Sequence, residues 1–329
     1  MRALLLTQPR PPTGAAIRDV QTDALPDGDV LIDVAHSSLN YKDGLAVTGG
    51  GKIVRGEFPF VPGIDLAGTV AADGSGQWRP GDRVVLTGWG TGEDRWGGFA
   101  EQARAQPEHL VALPDGLSTE DAMWVGTAGF TAMLSVLALE AHGVEPGGGP
   151  VAVTGASGGV GSVATALLAA AGHEVHAVTG SEAAHGYLRR LGAAEVVGRD
   201  VLAGGPAAPM TRAVWAGAVD SVGGATLSSL IAGARRHACV AACGLAGGAE
   251  LATTVFPFIL RGVTLAGIDS NTAPQALRQR AWQRLAEAVG RGVLDGVERT
   301  VIGLGEVPEW GRRIVDGDTT GRVVVDVRR

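Results

Sequence analysis

The chain has 329 residues, 45% hydrophobic and 19% charged, with a net charge of −7. This composition excludes a disordered chain and argues against nucleic acid as the main partner, since phosphates call for a basic surface. No apolar run reaches the roughly 18 residues of a membrane span. Leu4–Leu6 is too short for a signal peptide, and Cys239 and Cys243 alone make no disulfide framework, so a two-domain cytoplasmic protein is expected.

The first 120 or so residues read as β-rich. Strands are expected over Arg2–Leu6, Asp29–Ala35, Gly68–Ala72, Arg83–Leu86 and His109–Leu113, between turns such as Pro26-Asp27-Gly28 and Pro80-Gly81-Asp82. Glu120–Glu140 reads as one or two helices interrupted near Gly126 and Gly129. From Val151 strand and helix alternate: strands at Val151–Thr154, Glu174–Val178, Glu195–Val197, Ala218–Ser221, Ala238–Ala242 and Val263–Gly267, helices at Ser162–Ala171, Ser181–Leu191 (with Ser181 as N-cap) and Ala225–Ala234. Such alternation predicts a parallel sheet covered on both faces. Gln275–Gly290 is a further helix. Thr300–Ile302 and Arg322–Val327 return to strand, and without another crossover helix they are expected to rejoin the first domain.

Val151–Ala164, V-A-V-T-G-A-S-G-G-V-G-S-V-A, is a strand, a glycine turn and the start of a helix. A helix N-terminus presents unpartnered N–H groups and partial positive charge, and glycines let a pyrophosphate approach them. The same residues satisfy G-x-S-x-G, the nucleophile elbow of a hydrolase. That reading needs an acid and then a late histidine. Asp220 and His237 are in order, but His237 precedes a strand, no histidine follows it, and the region before the elbow is β-rich. The dinucleotide reading is the better one.

The second strand of a dinucleotide fold ends beside the adenosine ribose, where an acid selects NAD. Here it ends Val178-Thr179-Gly180-Ser181, without an acid, and Arg199 follows the third strand. Small hydroxylated residues with a nearby arginine favour NADP over NAD. The histidines are scattered and no zinc-ligand spacing is present, so no metal is expected. Of 27 basic residues only Lys42 and Lys52 are lysines, and both lie near Arg55. This reads either as a solvated loop or as a local positive patch for an anionic ligand.

Several segments resemble the zinc-free medium-chain dehydrogenases/reductases: Asn40-Tyr41-Lys42-Asp43-Gly44, Phe60–Gly68 (F-V-P-G-I-D-L-A-G), Gly81-Asp82-Arg83-Val84 and Gly126-Thr127-Ala128-Gly129-Phe130-Thr131-Ala132. Zinc-dependent relatives carry Cys and His ligands where this chain has Asn40 and Ile64. Gly51–Arg55, Trp96–Ala103, Cys243–Gly248, Pro257–Arg261 and Gly321–Val327 are similar to the acrylyl-CoA reductase subfamily, the YhdH/YhfP-type quinone oxidoreductases.

The resemblance implies an α/β protein: a GroES-like β-rich catalytic domain over 1–122, completed by 297–329, and a Rossmann doubly wound parallel-sheet domain over 123–296, with NADPH between them. Carried over by position, the cofactor residues are Tyr41, Ser157, Gly158, Gly159, Val160, Thr179, Gly180, Ser181, Arg199, Leu245, Ile259, Ser270 and Arg322, the last as a pyrophosphate-binding arginine. A homodimer is implied. The implied reaction is NADPH-dependent reduction of a short α,β-unsaturated acyl-CoA, acryloyl-CoA to propanoyl-CoA, with Tyr41 and Asn40 as catalytic candidates. Lys42, Lys52 and Arg55, on a mobile glycine loop, are candidates for the phosphates of coenzyme A. Alternatives are a quinone or enone reductase on the same scaffold and a non-catalytic NADPH-binding protein.

Overall fold

A computed structural model describes all residues from Met1 to Arg329. The chain separates into two compact units, one of Met1–Thr127, Ser270–Gly290 and Arg299–Arg329, the other of Ala128–Asp269 and Arg291–Glu298.

In the first unit, β1 (Arg2–Leu5) and β2 (Ala16–Asp19) form a hairpin. The main sheet is built on β3 (Val30–Leu39), whose first half alternates buried and half-buried residues while its end, Ser37-Ser38-Leu39, is wholly buried. A two-residue period buries one face of such a strand; the buried serines mark the place where the pattern yields to chemistry. Helix α1 (Tyr41–Thr48) follows at once, with Asn40 as N-cap, and it ends at Gly49 in the left-handed conformation. Lys42, expected on a mobile glycine loop, lies instead on α1. Strands β4 (Asp65–Asp73), β5 (Arg83–Thr87), β6 (Gln102–Ala105) and β7 (Val111–Ala112) complete the N-terminal part of the sheet.

Helix α2 (Thr119–Ala141) is broken at Gly126, whose φ of 52° is non-helical. It is long and apolar enough to cross a membrane, but 89% of its most apolar window is buried inside the protein, as in a core helix.

In the second unit, β8 (Val151–Thr154), β9 (Val175–Thr179), β10 (Glu195–Gly198), β11 (Trp215–Asp220), β12 (Ala234–Ala242) and β13 (Thr264–Gly267) form a parallel sheet of order β10-β9-β8-β11-β12-β13. That order is the doubly wound dinucleotide arrangement. All four residues of β8 are buried, and α3 (Gly159–Ala170) buries eight consecutive residues from Gly161 to Leu168. Apolar burial all round a helix and on both faces of a strand is what a covered parallel sheet requires. The expected helix over Ser181–Leu191 is instead a 3-10 turn, Glu182–Ala184, followed by the short α4 (His185–Arg190), and the Ser181 side chain makes no capping bond. Short helices α5 (Asp200–Ala203), α6 (Gly224–Ala232) and α7 (Phe256–Arg261) follow.

Helix α8 (Gln275–Gly290), read from sequence as part of the second domain, groups with the first unit. The fully buried Arg278 ties it there, donating to the Thr87 carbonyl at 2.7 Å and the Thr87 hydroxyl at 2.9 Å. The tail returns to the same unit: β14 (Arg299–Gly303) pairs with β15 (Arg322–Asp326), which pairs antiparallel with β3, and α9 (Val307–Asp316) connects the two.

Candidate functional sites

In the first unit a polar cluster is sealed inside the core. Asp43 and Asp65 are completely buried, and Ser38, Asn40 and Arg322 are at most 8% exposed. Asp65 Oδ2 accepts from the Ser38 hydroxyl at 2.5 Å, Asn40 Nδ2 at 2.9 Å and the Thr127 N–H at 2.8 Å, while Oδ1 accepts a short bond from the Thr127 hydroxyl. Asp43 accepts from the Asn40 N–H and the Ile64 N–H, both at 2.9 Å, and from Asn40 Nδ2 at 3.1 Å. Arg322 donates through Nε to the Trp124 carbonyl at 3.0 Å, and through its terminal nitrogens to Ser38 Oγ at 3.0 Å and Asn40 Oδ1 at 3.3 Å.

Local sequence explains the assembly. The N-cap position of α1 brings Asn40 and Asp43 together across one turn. The break at Gly126 turns Thr127 toward Asp65, and a side chain there would meet Arg322 at 2.5 Å, Ser38 at 2.7 Å and Asp65 at 2.8 Å, so only glycine fits. Two buried carboxylates face one arginine. Burial and the Asp65 charge push the Asp43 carboxyl up to about 7, against the hydrogen bonds from Asn40 and Ile64. Burial also lowers the Arg322 guanidinium, partly offset by Asp65 and Asp43.

The second unit holds a different arrangement. Gly155 (φ 57°) turns the chain out of β8, and the first turn of α3 presents its N–H groups beyond Ser157 and Gly158. A Cβ on Gly161 would press into the Gly155 carbonyl and lie 2.6 Å from the Ala156 Cα, so glycine lets α3 start hard against the strand end. At the end of β9, Thr179 is 5% exposed; its Oγ1 accepts the Ser181 N–H at 3.1 Å and lies 3.3 Å from Ser157 Oγ. Gly180, Ser181 and Arg199 are exposed. Arg199 lies across Gly180: a Cβ there would meet its Cδ at 2.7 Å and Nε at 2.8 Å. No carboxylate pairs with it. An open turn with backbone donors and an unpaired guanidinium is suited to phosphate.

One family model falls within the first unit; the other covers most of the second and runs on into α8. Residues 26–115 match the alcohol dehydrogenase GroES-like domain and residues 159–287 the zinc-binding dehydrogenase domain. The chain is 51% identical over 315 residues to an acrylyl-CoA reductase, AcuI, of Ruegeria pomeroyi, an alignment covering 96% of this chain and 95% of that one. The chain belongs to the medium-chain dehydrogenase/reductase family, in its acrylyl-CoA reductase subfamily. Among solved structures it superposes on the YhdH oxidoreductase of Salmonella enterica in complex with NADP (TM-score 0.95, 49% identity, 99% of this chain and all of that one). It also superposes on YhfP of Bacillus subtilis with NAD bound (TM-score 0.93, 42% identity, 99% of both chains).

The dehydrogenase domain name implies zinc, and the buried cluster does not fit it. A catalytic zinc needs three protein ligands from Cys, His or carboxylate. No group of three or more His, Cys, Asp or Glu comes together in this reductase. The acid oxygens of Asp43 and Asp65 are filled by N–H and O–H donors, and a buried guanidinium stands where a dication would be repelled.

The geometry reassigns several sequence candidates. Asn40 is no free donor: its amide nitrogen serves Ser38, Asp43 and Asp65, and its oxygen accepts from Arg322. Arg322, expected to bind pyrophosphate, is 2% exposed and fully engaged inside the core, which makes it a positioning residue for the cluster. Thr179 is buried and shapes its turn. The basic patch is largely neutralised: Lys42 pairs with Glu93 at 2.8 Å, and Arg55 with Glu93 at 2.8 Å and Asp94 at 3.0 Å, leaving Lys52 exposed on its own.

Tyr41, 44% exposed at the start of α1, makes no hydrogen bond through its hydroxyl. Gly159 and Val160 open α3. Leu245 and Ile259 are 64% and 68% exposed, and the Ser270 carbonyl accepts from Arg278 at 3.3 Å. The sequence reading missed Ser38, Asp43, Asp65 and Thr127 as a unit. Three of the four stand inside motifs it quoted, N-Y-x-D, P-G-x-D and G-T-A.

Proposed function

We propose that this chain reduces the C=C bond of a short α,β-unsaturated acyl-CoA, acryloyl-CoA to propanoyl-CoA, using NADPH and no zinc. The observation that carries the reading is the 51% identity, over nearly the whole of both chains, to an acrylyl-CoA reductase. The zinc-unfit cluster and the open phosphate turn are consistent with it.

Ser157, Gly158, Gly159 and Val160 hold the pyrophosphate through the start of α3. Gly180, Ser181 and Arg199 take the 2′-phosphate, with Thr179 fixing their turn. Bound NADPH supplies the hydride, delivered to the β-carbon of the thioester. Negative charge then grows on the thioester oxygen, and without a metal a hydrogen-bond donor must hold it; one well-aimed donor is worth about 2.7–4 kcal/mol. We assign this role, or that of orienting the nicotinamide, to the free Tyr41 hydroxyl. Asn40 acts behind it, locking the start of α1 to Asp43 and Asp65. Solvent water returns the proton to the α-carbon.

Leu245, Ile259 and Ser270 remain cofactor contacts by position. The exposed Val255, Phe256 and Leu260 lie on and beside α7, and β13 is a free sheet edge. Together they support a homodimer, and a net charge of −7 with two free thiols supports a cytoplasmic one.

NADPH oxidation followed with acryloyl-CoA, crotonoyl-CoA, a simple quinone and a simple enone tests the activity. The highest kcat/KM is expected for acryloyl-CoA. A preference for the quinone or enone would replace this reading with a general enone or quinone reductase, and no turnover of any acceptor with tight NADPH binding would make the chain a binding protein.

A further inference from the structure

Away from the buried cluster, the first unit carries an open cavity of about 580 Å³ lined by Arg55, Trp89, Asp94, Arg95, His109 and Asn271 among others. Its size is that of a small-molecule site. Trp89 has a φ of 57°, an outlier for a bulky residue. It is held there by its N–H bond to the Asn271 carbonyl at 2.9 Å, and the next N–H, of Gly90, reaches Asn271 Oδ1 at 3.2 Å. The conformation lays the indole against the His109 imidazole, with centroids 4.8 Å apart and planes within 6°. Burial and the nearby Arg95 and Arg278 lower the His109 pKa, and the Arg278 guanidinium lies over the indole, 5.3 Å from its centroid.

The rim is cationic. Arg95 is exposed and pairs with no carboxylate. Among the lining residues Arg55 and Arg95 stand against Asp94 alone, which pairs with Arg55 at 3.0 Å. A flat aromatic wall beside an unpaired arginine is the chemistry that recognises a phosphorylated purine nucleoside. The second unit already has its own phosphate turn with Arg199, which leaves this second site for a second nucleotide.

We propose that this cavity seats the phosphorylated adenosine end of the acyl-CoA substrate, with Arg95 as the main phosphate contact. The inference rests on the acyl-CoA reading above. It replaces the lysine pair as the source of coenzyme A recognition, since Lys42 is neutralised and Lys52 does not line the cavity.

The test compares kcat/KM for acryloyl-CoA with that for acryloyl-pantetheine, which has the same reacting thioester and no adenosine, in the wild type, Arg95→Ala and Arg95→Lys. A charge-assisted contact predicts that the preference for the CoA ester falls about tenfold in Arg95→Ala, and recovers in part in Arg95→Lys. The KM for NADPH is expected to stay in place. Asp94→Asn, which removes the carboxylate charge from the cavity lining while Arg55 keeps its pair with Glu93, is expected to raise the preference. An unchanged preference in Arg95→Ala, or a loss falling instead on NADPH, would overturn the inference.

Calorimetric titration with adenosine 3′,5′-bisphosphate on the NADPH-bound protein separates the two readings. Binding lost in Arg95→Ala supports the cavity whether or not acryloyl-CoA is turned over. Absence of binding in the wild type overturns the cavity even if the acyl-CoA reduction is confirmed.

Discussion

The buried cluster of the first unit and the phosphate turn of the second use charge in opposite ways. In the first, Asp43, Asp65 and Arg322 are sealed from solvent and their hydrogen-bonding capacity is met by Ser38, Asn40, Thr127 and backbone groups. In the second, Arg199 and the start of α3 stay open and unpaired. A saturated network has nothing left for a ligand; it holds shape, and removing one member leaves others stranded. An unsaturated turn is idle until a ligand arrives. Charge alone therefore does not mark a binding residue. Arg322 and Arg199 are both arginines near motif glycines, and only the second has guanidinium donors to offer.

The comparison is broken most severely by Arg322→Ala. Two buried carboxylates would lose their only buried cation, and removing one partner of a buried charge set costs about 3–5 kcal/mol. Chemical denaturation is expected to show a loss of that order, while the NADPH affinity of the protein that remains folded changes little. A large fall in NADPH affinity with stability intact would restore Arg322 as a pyrophosphate ligand.

A smaller effect is a slope with pH. The folded Asp43 carboxyl titrates near 7, above its ordinary 3.8, because burial and Asp65 disfavour its charge. The unfolded chain therefore releases this proton at lower pH than the folded one. The contribution of Asp43 is full below about pH 4, declines as pH rises toward 7, and is flat above that. The stability of the wild type relative to Asp43→Asn is expected to fall across this window. A difference that is flat across this window, with a rise confined to below about pH 4, would show that the hydrogen bonds from Asn40 and Ile64 outweigh burial.

The parallel sheet was legible because burial on both faces writes continuous apolar runs, as in Val151–Thr154, and the turns between them are glycines. The exposed half of the phosphate turn was legible for the same reason: local geometry needs local residues. The buried cluster was not, because its members lie at 38, 40, 43, 65, 127 and 322 and meet only through the pairing of β15 with β3 and the break at Gly126. Each looked like a solvent-facing or ligand-facing polar group in its own segment. Helix α1 was missed because eight residues with one buried face give too short a period. Helix α8 clusters with the first unit, although the dehydrogenase family model runs through most of it, because Arg278, a residue type that is normally exposed, anchors it from within the core.

The finest test of the contrast lies at Arg199. Its guanidinium crosses Gly180 with no acid beside it, so nothing is stranded when it is removed. Arg199→Ala is therefore expected to leave thermal stability within about 0.5 kcal/mol of wild type, as for an ordinary surface substitution. The loss should appear only where a 2′-phosphate is present. A hydrogen bond to a charged group contributes about 1.5–3 kcal/mol, so NADPH binding should weaken about tenfold or more while NADH binding is unchanged. Fluorescence titration with the two cofactors reads both arms. Equal weakening of NADPH and NADH would mean that Arg199 supports the turn rather than the phosphate, and its charge would then serve the protein and not the ligand, as the charges of the buried cluster in the first unit do.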